Sequence, residues 1–297
     1  MLKQKLQLTP EVNTGLIIEI READFEFGGV TQIKHENRNT TGDWEQFLPN
    51  TERQKGLFET FGCVSFSGLN GIECQLQWLI NNNLLTPEAM KFLTDNGYLD
   101  ENGRPNCSDR FTVVMSKTVP GRGNSFQNVW DSIRKDGIVP ERAWPNNLQE
   151  LGRDEYYADI PQAVKDLGKE FLKYFEAGYE KVNQKDIPQA LKHAPIQIGT
   201  ATCSPWAGGV VPMCLDTPNH ATMIYKVGDG VYFDFDQYEP FLKRLAKNFR
   251  IPYAYKCILS PLQSIGVTGK VEEKRMIKTT PNTNFFQAIW NLIKKLL

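Results

Sequence analysis

The sequence predicts an α+β fold, with helices in its first half and strands in its second. Three observations carry that expectation: apolar residues recur at helical spacing from Cys63 onward, helical stretches continue to about Tyr179, and strand-like alternation takes over after about Ile196. At 297 residues the chain exceeds one ordinary core and suits two lobes, or one large domain with extensions, which leaves room for a cleft. A composition of 40% hydrophobic, 11% aromatic and 23% charged residues is that of a packed soluble protein rather than a disordered or fibrous one.

Residues 1–51 read as an extended, loop-rich N-terminal arm, with one apolar run, Leu16 to Ile20, and turn-forming stretches such as FGG and RNTTGD. From Cys63 the apolar positions Leu69, Ile72, Leu76 and Leu79 predict a helix that stops at Asn81-Asn82-Asn83. A second helix is expected from Pro87 to about Asn96, with Thr86 as N-cap and Pro87 at its first position. A third, about Phe126 to Lys135, follows the turn PGRGN and ends at Asp136-Gly137. Pro161 to about Tyr179 reads as a long amphipathic helix, and Ile187 to Lys192 as a short one leading into Ile196-Gln197-Ile198. Strands are expected at Thr222–Val227, Val231–Phe235 and Tyr253–Leu259. In the extension 263–297, the stretch Asn284–Leu297 places Phe285, Ile289, Leu292, Ile293 and Leu296 on one helical face, with Lys294 and Lys295 near its end. It is too short to span a bilayer, which leaves the body of the protein, a partner or a membrane surface as what it covers.

Charge and targeting signals narrow the function. The 34 basic and 35 acidic side chains nearly cancel, so the broad positive field that phosphate-backbone binding uses is missing and nucleic acid is not expected as a partner. The first residues, MLKQKLQLTPEVNTG, contain no apolar h-region, and no run of about 18 apolar residues occurs, so neither Sec export nor a membrane span is expected. Six cysteines, at 63, 74, 107, 203, 214 and 257, are too sparse for a disulfide scaffold, and a reducing compartment is the default. Cys203 and Cys214 are spaced to bridge a short loop, a pairing that depends on Cα geometry.

The chain has three histidines, His35, His193 and His220, so a base of the cysteine–histidine type must be one of them. His220 has the best context, opening the strand Asn219-His220-Ala221-Thr222, whereas His193 ends a short helix and His35 lies in a polar loop. Cys63 is preceded by a glycine and followed by a helix, and aligned amide dipoles at a helix start favour the thiolate that attacks carbonyls. A base also needs a group that holds it in one tautomer. Asp236, 16 residues after His220 (236 minus 220), lies where the next strand returns toward the imidazole, and Asp234 competes for that role by alternation. Gln54, nine residues before Cys63, is placed to supply a side-chain amide beside the Cys63 backbone N–H for an oxyanion.

The order Gln, Cys, His, Asp, with a helix behind the cysteine, resembles the papain family of cysteine peptidases. Gly62-Cys63-Val64-Ser65-Phe66 resembles the family's G-x-C-x-[FW] neighbourhood, and Gly123-Asn124 falls where the family has the glycine wall of its substrate cleft. Gly137-Ile138-Val139-Pro140-Glu141 with Trp144-Pro145 resembles its G-[IL]-x-x-E-x-x-[YW]-P stretch, and Asn219-His220-Ala221 its [DN]-H-A. The likeness covers about residues 52–260. His220 follows Cys63 by 157 residues (220 minus 63), somewhat beyond the roughly 130 to 150 noted for papain-type enzymes, and an insertion at Thr86–Pro120 would account for the excess. The resemblance implies a two-lobe fold: a helical lobe of about 56–145 carrying Cys63 and a β-barrel-like lobe of about 185–262 carrying His220 and Asp236, with the cleft between them in a domain of 52–262. It implies a thiol endopeptidase that needs no metal or cofactor, with Cys63, His220, Asp236 and Gln54 catalytic, and Gly123, Asn124 and Asn219 binding an extended peptide or protein substrate.

Three departures stand out. The family's usual asparagine is here Asp236, which adds a charge; Thr60 stands where secreted members have a disulfide-bonded cysteine; and the first 50 residues do not resemble the family's helical inhibitory propeptide. The arm, with Gly42-Asp43-Trp44 and Leu48-Pro49 ahead of Glu52-Arg53-Gln54, is similar to papain-like peptidases encoded in tailed-phage and related bacterial genomes. That likeness implies an enzyme of the infected-cell cytoplasm or of the virion, with the arm and the terminal helix as attachment elements to virion or tail proteins. Two other functions compete: a structural or attachment module whose centre is unused, and a cysteine amidase acting on peptidoglycan cross-links.

Overall fold

The apolar repeat that starts at Cys63 forms helix α1 (Cys63–Asn81), and 15 of its 19 residues are buried. A helix covered on every side belongs at the centre of a fold. The structure, a computed structural model, describes residues 15–19, 38–201, 209–211 and 217–262. Beside α1 stand α2 (Pro87–Asp95), α3 (Asp109–Met115) and α4 (Phe126–Asp136), then the shorter α5 (Arg153–Tyr156) and α6 (Gln162–Phe171). Local chemistry sets their starts: Thr86, Ser108 and Ser125 accept the amides of Ala89, Phe111 and Asn128 as N-caps of α2, α3 and α4. Gly137, at φ +73, ends α4, and a Cβ there would collide with the Gly168 carbonyl. No described helix is long and apolar enough to cross a membrane.

The strands follow: β1 (Phe175–Lys181), then the one-turn helix α7 (Ile187–Ala190), β2 (Ile196–Thr200), β3 (Val210–Val211), β4 (His220–Gly228), β5 (Val231–Phe235), β6 (Leu242–Ala246) and β7 (Tyr253–Pro261). They make one seven-stranded sheet in the order β1-β7-β2-β4-β5-β6-β3. Its pairs are antiparallel except β3 with β6. Helix α1 packs on β4 and β7, and two buried glutamines hold it in register. Gln197 on β2 donates to Val64 O and Ser67 Oγ, both at 2.7 Å, and accepts from Trp130 Nε1 at 2.8 Å. Gln75 on α1 donates to Gly71 O at 2.8 Å and accepts from the Leu259 amide at 3.0 Å. Fully bonded amides of this kind fix one arrangement of helix on sheet, because any slip would strand buried donors.

The approach of α1 to β7 is so close that it requires a glycine. A Cβ at Gly71 would stand 2.7 Å from Cys257 Sγ and 2.9 Å from Cys257 Cβ. Gly71→Ala is therefore expected to destabilise by about 1–3 kcal/mol, measured by denaturant unfolding, with part of the loss recovered in Gly71→Ala/Cys257→Ala. An unchanged unfolding midpoint would refute the close packing.

Three departures from the expected elements bear on the fold most directly. The long helix expected over Pro161–Tyr179 ends at Phe171, and Phe175–Lys181 is instead strand β1, paired residue for residue with β7. The partners lie some 80 residues away in sequence (261 minus 175 is 86), so that tertiary pairing overrides the local helical period. Helix α3 lies within the stretch read only as an insertion. Strand β6 carries no clear strand signal, because its inward positions are Lys243 and Leu245, and a lysine in a core position breaks the alternation that marks a strand. Ile20, His35, Cys203, Cys214 and the 284–297 helix lie outside the described residues.

Candidate active site

Cys63 is the first residue of α1, with Gly62 as its N-cap, and His220 is the first residue of β4. The Cys63 thiol faces the backbone amide of Ala221, which places it beside the residue that follows His220. His220 Nε2 lies 2.8 Å from Asp236 Oδ1, and both side chains are essentially inaccessible to solvent. A carboxylate accepts only, so Nε2 carries the proton and Nδ1 is left as the basic nitrogen. Nδ1 is buried and has no hydrogen-bond partner among the described residues, so no hydrogen bond joins it to Cys63.

Asp236 sits just past the end of β5 and receives an unusual set of donors. The amides of Gln237 (2.6 Å) and Tyr238 (3.1 Å) reach Oδ1 beside His220, and Lys243 Nζ reaches Oδ2. Burial alone would raise its pKa, but His220 and Lys243 outweigh it and hold the carboxyl down at about 2. Asp234, two residues earlier on β5, is fully buried beside it; burial first, and the Asp236 charge second, push that acid up to about 8. The imidazole is thus paired with Asp236, while Asp234 is a neutral neighbour at pH 7.

The Gln54 amide does not stand open. Its Nε2 donates to Glu59 Oε1 at 2.8 Å and to the Tyr238 hydroxyl at 2.9 Å. Glu59 also accepts the Phe61 amide at 3.0 Å and the Tyr238 hydroxyl proton, and the Tyr238 ring lies 5.4 Å from the His220 ring. Neither Glu59, Tyr238 nor Lys243 was singled out in the sequence; their only signals are position, four residues before Cys63 and two and seven after Asp236.

The wall residues are also engaged, by the chain's own arm. The Asn124 amide donates to Gly15 O at 2.8 Å, the Ile17 amide to Asn124 O at 2.7 Å, and the Leu16 amide to Asn219 O at 3.2 Å. Gly15, at φ +112, lies between the backbones of Phe61 and Gly123, where a Cβ on either glycine would collide with the opposite chain. The Leu16 side chain fills a slot against Gly199 and Phe126, and Ser125 Oγ donates to Glu19 at 2.7 Å. Gly123, Asn124 and Asn219 are therefore brought together with His220 along one groove, occupied by residues 15–19. Cys63 itself is fully buried, and burial, the largest effect, raises its thiol well above its ordinary value, against the pull of the Ala221 and Val64 amides. Burial thus overrides the helix start that favours thiolate.

Four acids, Glu52, Glu73, Asp109 and Glu141, form an electrostatically coupled cluster. Burial raises all four, with Glu141 reaching about 8, and each of Glu73, Asp109 and Glu141 is raised further by the charge of Glu52. An acid whose folded value is raised contributes stability fully present below its unfolded value, near 4.5 for Glu141, and lost as pH rises toward 8. Asp236 acts in the opposite sense, since its depressed value gives stability that is lost as pH falls from 3.8 toward 2. Maximum thermal stability is accordingly expected near pH 4–5, falling on the alkaline side by about 1.4 kcal/mol per pH unit for each buried acid. Scanning calorimetry from pH 4 to 8 checks this, and Glu141→Gln is expected to flatten the fall; stability that rises across this range would contradict it.

No protein-family profile matches the sequence, and no curated protein matches it. Solved structures do. Xylellain, a cysteine protease from Xylella fastidiosa, superposes with a TM-score of 0.52 at 14% identity, over 84% of this chain and 95% of that one. The fold is papain-like. Bromelain from Ananas comosus (TM-score 0.48, 13% identity, 73% and 98% covered) and the proform of the ragweed pollen allergen Amb a 11, a cysteine protease (0.48, 15%, 77% and 67%), are also similar. At these identities the likeness is one of fold.

Proposed function

We propose that the chain is a cysteine peptidase, with Cys63 as nucleophile and His220 as its acid and base. The observation that carries this reading is the placement of the Cys63 thiol at the start of α1 against the Ala221 amide, next to a histidine whose Nε2 is held by Asp236 at 2.8 Å. The cleft lies between a helical lobe (about 56–145) and a β lobe (about 185–262), and an extended peptide binds along Gly123, Asn124 and Asn219 in place of residues 15–19. Removing that segment opens Cys63 to water and lets the thiolate form, with its proton on His220 Nδ1. The thiolate attacks the scissile carbonyl; the Cys63 amide and Gln54 Nε2, released from Glu59 and Tyr238, take the oxyanion. His220 then gives its proton to the leaving amine and, as base, activates the water that frees the acyl group.

The likeness of the arm to phage-encoded peptidases supports a phage protein, carried in the particle or acting in the infected cell, and mass spectrometry of purified virions tests it. The filled groove favours one second reading, a structural module of the particle that keeps its centre covered. Labelling separates the two. An epoxysuccinyl inhibitor incubated under reducing conditions with the wild-type chain and with Ile17→Pro, then mapped by mass spectrometry, is expected to mark Cys63. A Cys63 left unmarked in both proteins overturns the peptidase reading.

A further inference from the structure

The Asp236 carboxylate stands where the family resemblance places an uncharged asparagine, and a bare carboxylate beside the imidazole would bind it more tightly in its charged form. The structure supplies a second departure that answers the first. Lys243 lies directly across the β5–β6 ladder from Asp234, its side chain is 2% exposed, and its Nζ reaches Asp236 Oδ2 and, at 3.0 Å, the Tyr238 carbonyl. A lysine so buried needs a counter-charge, and Asp236 provides it on the oxygen that His220 does not use.

We propose that Lys243 is a positioning residue of this site: its ammonium cancels the charge of Asp236, so that His220 is oriented by a carboxylate yet senses a partner of no net charge. The inference rests on the reading of Cys63 and His220 as the reacting pair. An asparagine orients the ring through one neutral acceptor; the Asp236–Lys243 couple does so through a charged acceptor neutralised from behind. The remaining titratable groups around the couple are Asp234 from β5, Glu59 and Tyr238 at the groove, and Cys63 from α1. Asp234 keeps its proton up to about pH 8, so below that pH Asp236 and Lys243 are the charges in direct contact beside the ring.

The three histidines make a direct test practical in the full chain, since His35→Gln and His193→Gln spectra assign the His220 imidazole resonances in a nitrogen-15 NMR titration. Between pH 4 and 8, Lys243→Met is expected to raise the His220 midpoint by about one pH unit, a tenfold gain in proton affinity, and Asp236→Asn to lower it by a similar amount. Asp236→Asn/Lys243→Met is expected to return the midpoint to within about 0.3 pH units of wild type, and Lys243→Arg, which keeps the charge, to leave it in place. The alkaline limb of kcat/KM follows the same shifts. A staple that only held β6 to the turn would lower stability without moving the midpoint in opposite senses. Single variants that leave the midpoint unmoved in folded protein, or shifts that add rather than cancel, overturn the proposal. Should Lys243→Met fail to fold, the double variant, which buries no lone charge, is compared with Asp236→Asn; identical midpoints refute the role of Lys243. The titration needs no turnover. An unreactive Cys63 with these shifts defeats the peptidase reading alone, and a reactive Cys63 without them defeats the role of Lys243 alone.

Discussion

On the proposed mechanism, Cys63→Ala is expected to lower kcat/KM for peptide hydrolysis by about 10⁴- to 10⁶-fold, the loss that follows when a covalent nucleophile is removed and binding and oxyanion stabilisation remain. The same change costs little stability, because a thiol and a methyl group differ by one atom and the Cys63 sulfur makes only weak contacts with amides. Cys74→Ala is the matched control. Cys74 lies on the same helix and is equally buried, but it stands 11 residues (74 minus 63), about three turns, further along α1, where its sulfur faces the Trp44 carbonyl at 3.8 Å. Full hydrolysis by Cys63→Ala, with Cys74→Ala unaffected, would remove the proposed nucleophile; loss in both would point to the helix rather than to one thiol.

Loosening the arm produces the second large effect. Ile17→Pro removes the amide that donates to Asn124 O at 2.7 Å, and Leu16→Asp puts a carboxylate into the slot formed by Gly199 and Phe126. Each change is expected to weaken the seat of residues 15–19 by about 1–3 kcal/mol, which speeds reaction of Cys63 with an epoxysuccinyl inhibitor by roughly ten- to a hundredfold. Leu16→Met, which keeps volume and apolarity, is expected to change the rate little. Labelling rates are read by mass spectrometry at fixed pH. A rate unchanged in both disruptive variants would show that the arm does not limit access to the thiol.

Much of the helical half was legible because its signals are local. Thr86 with Pro87, the Leu69 to Leu79 repeat, and Asp136-Gly137 mark ends and faces that depend on a few neighbouring residues, and α1, α2 and α4 form where they predict. Strand β1 is illegible locally for the opposite reason. Its hydrogen-bond partners come from β7, and Phe175–Lys181 carries a helical period that loses to that pairing. Lys243 hid β6, since a lysine facing the core makes sense only once Asp236 is seen beside it.

By itself the sequence determined which residues were available for the chemistry: three histidines, one cysteine at a helix start, and two aspartates a strand-length beyond the best histidine. It placed Asp236 ahead of Asp234 as the partner of His220, although alternation sets both on one side of the strand. Tertiary structure decided between them. The turn after β5 presents Asp236 to His220 and Lys243 together, while the ladder buries Asp234 beside the Asp236 charge, and that burial pushes it up to about 8. The state of the groove was equally beyond the sequence, since the bonds from Gly15, Leu16 and Ile17 to Asn124 and Asn219 join backbone atoms, and backbone atoms are the same whatever the residue.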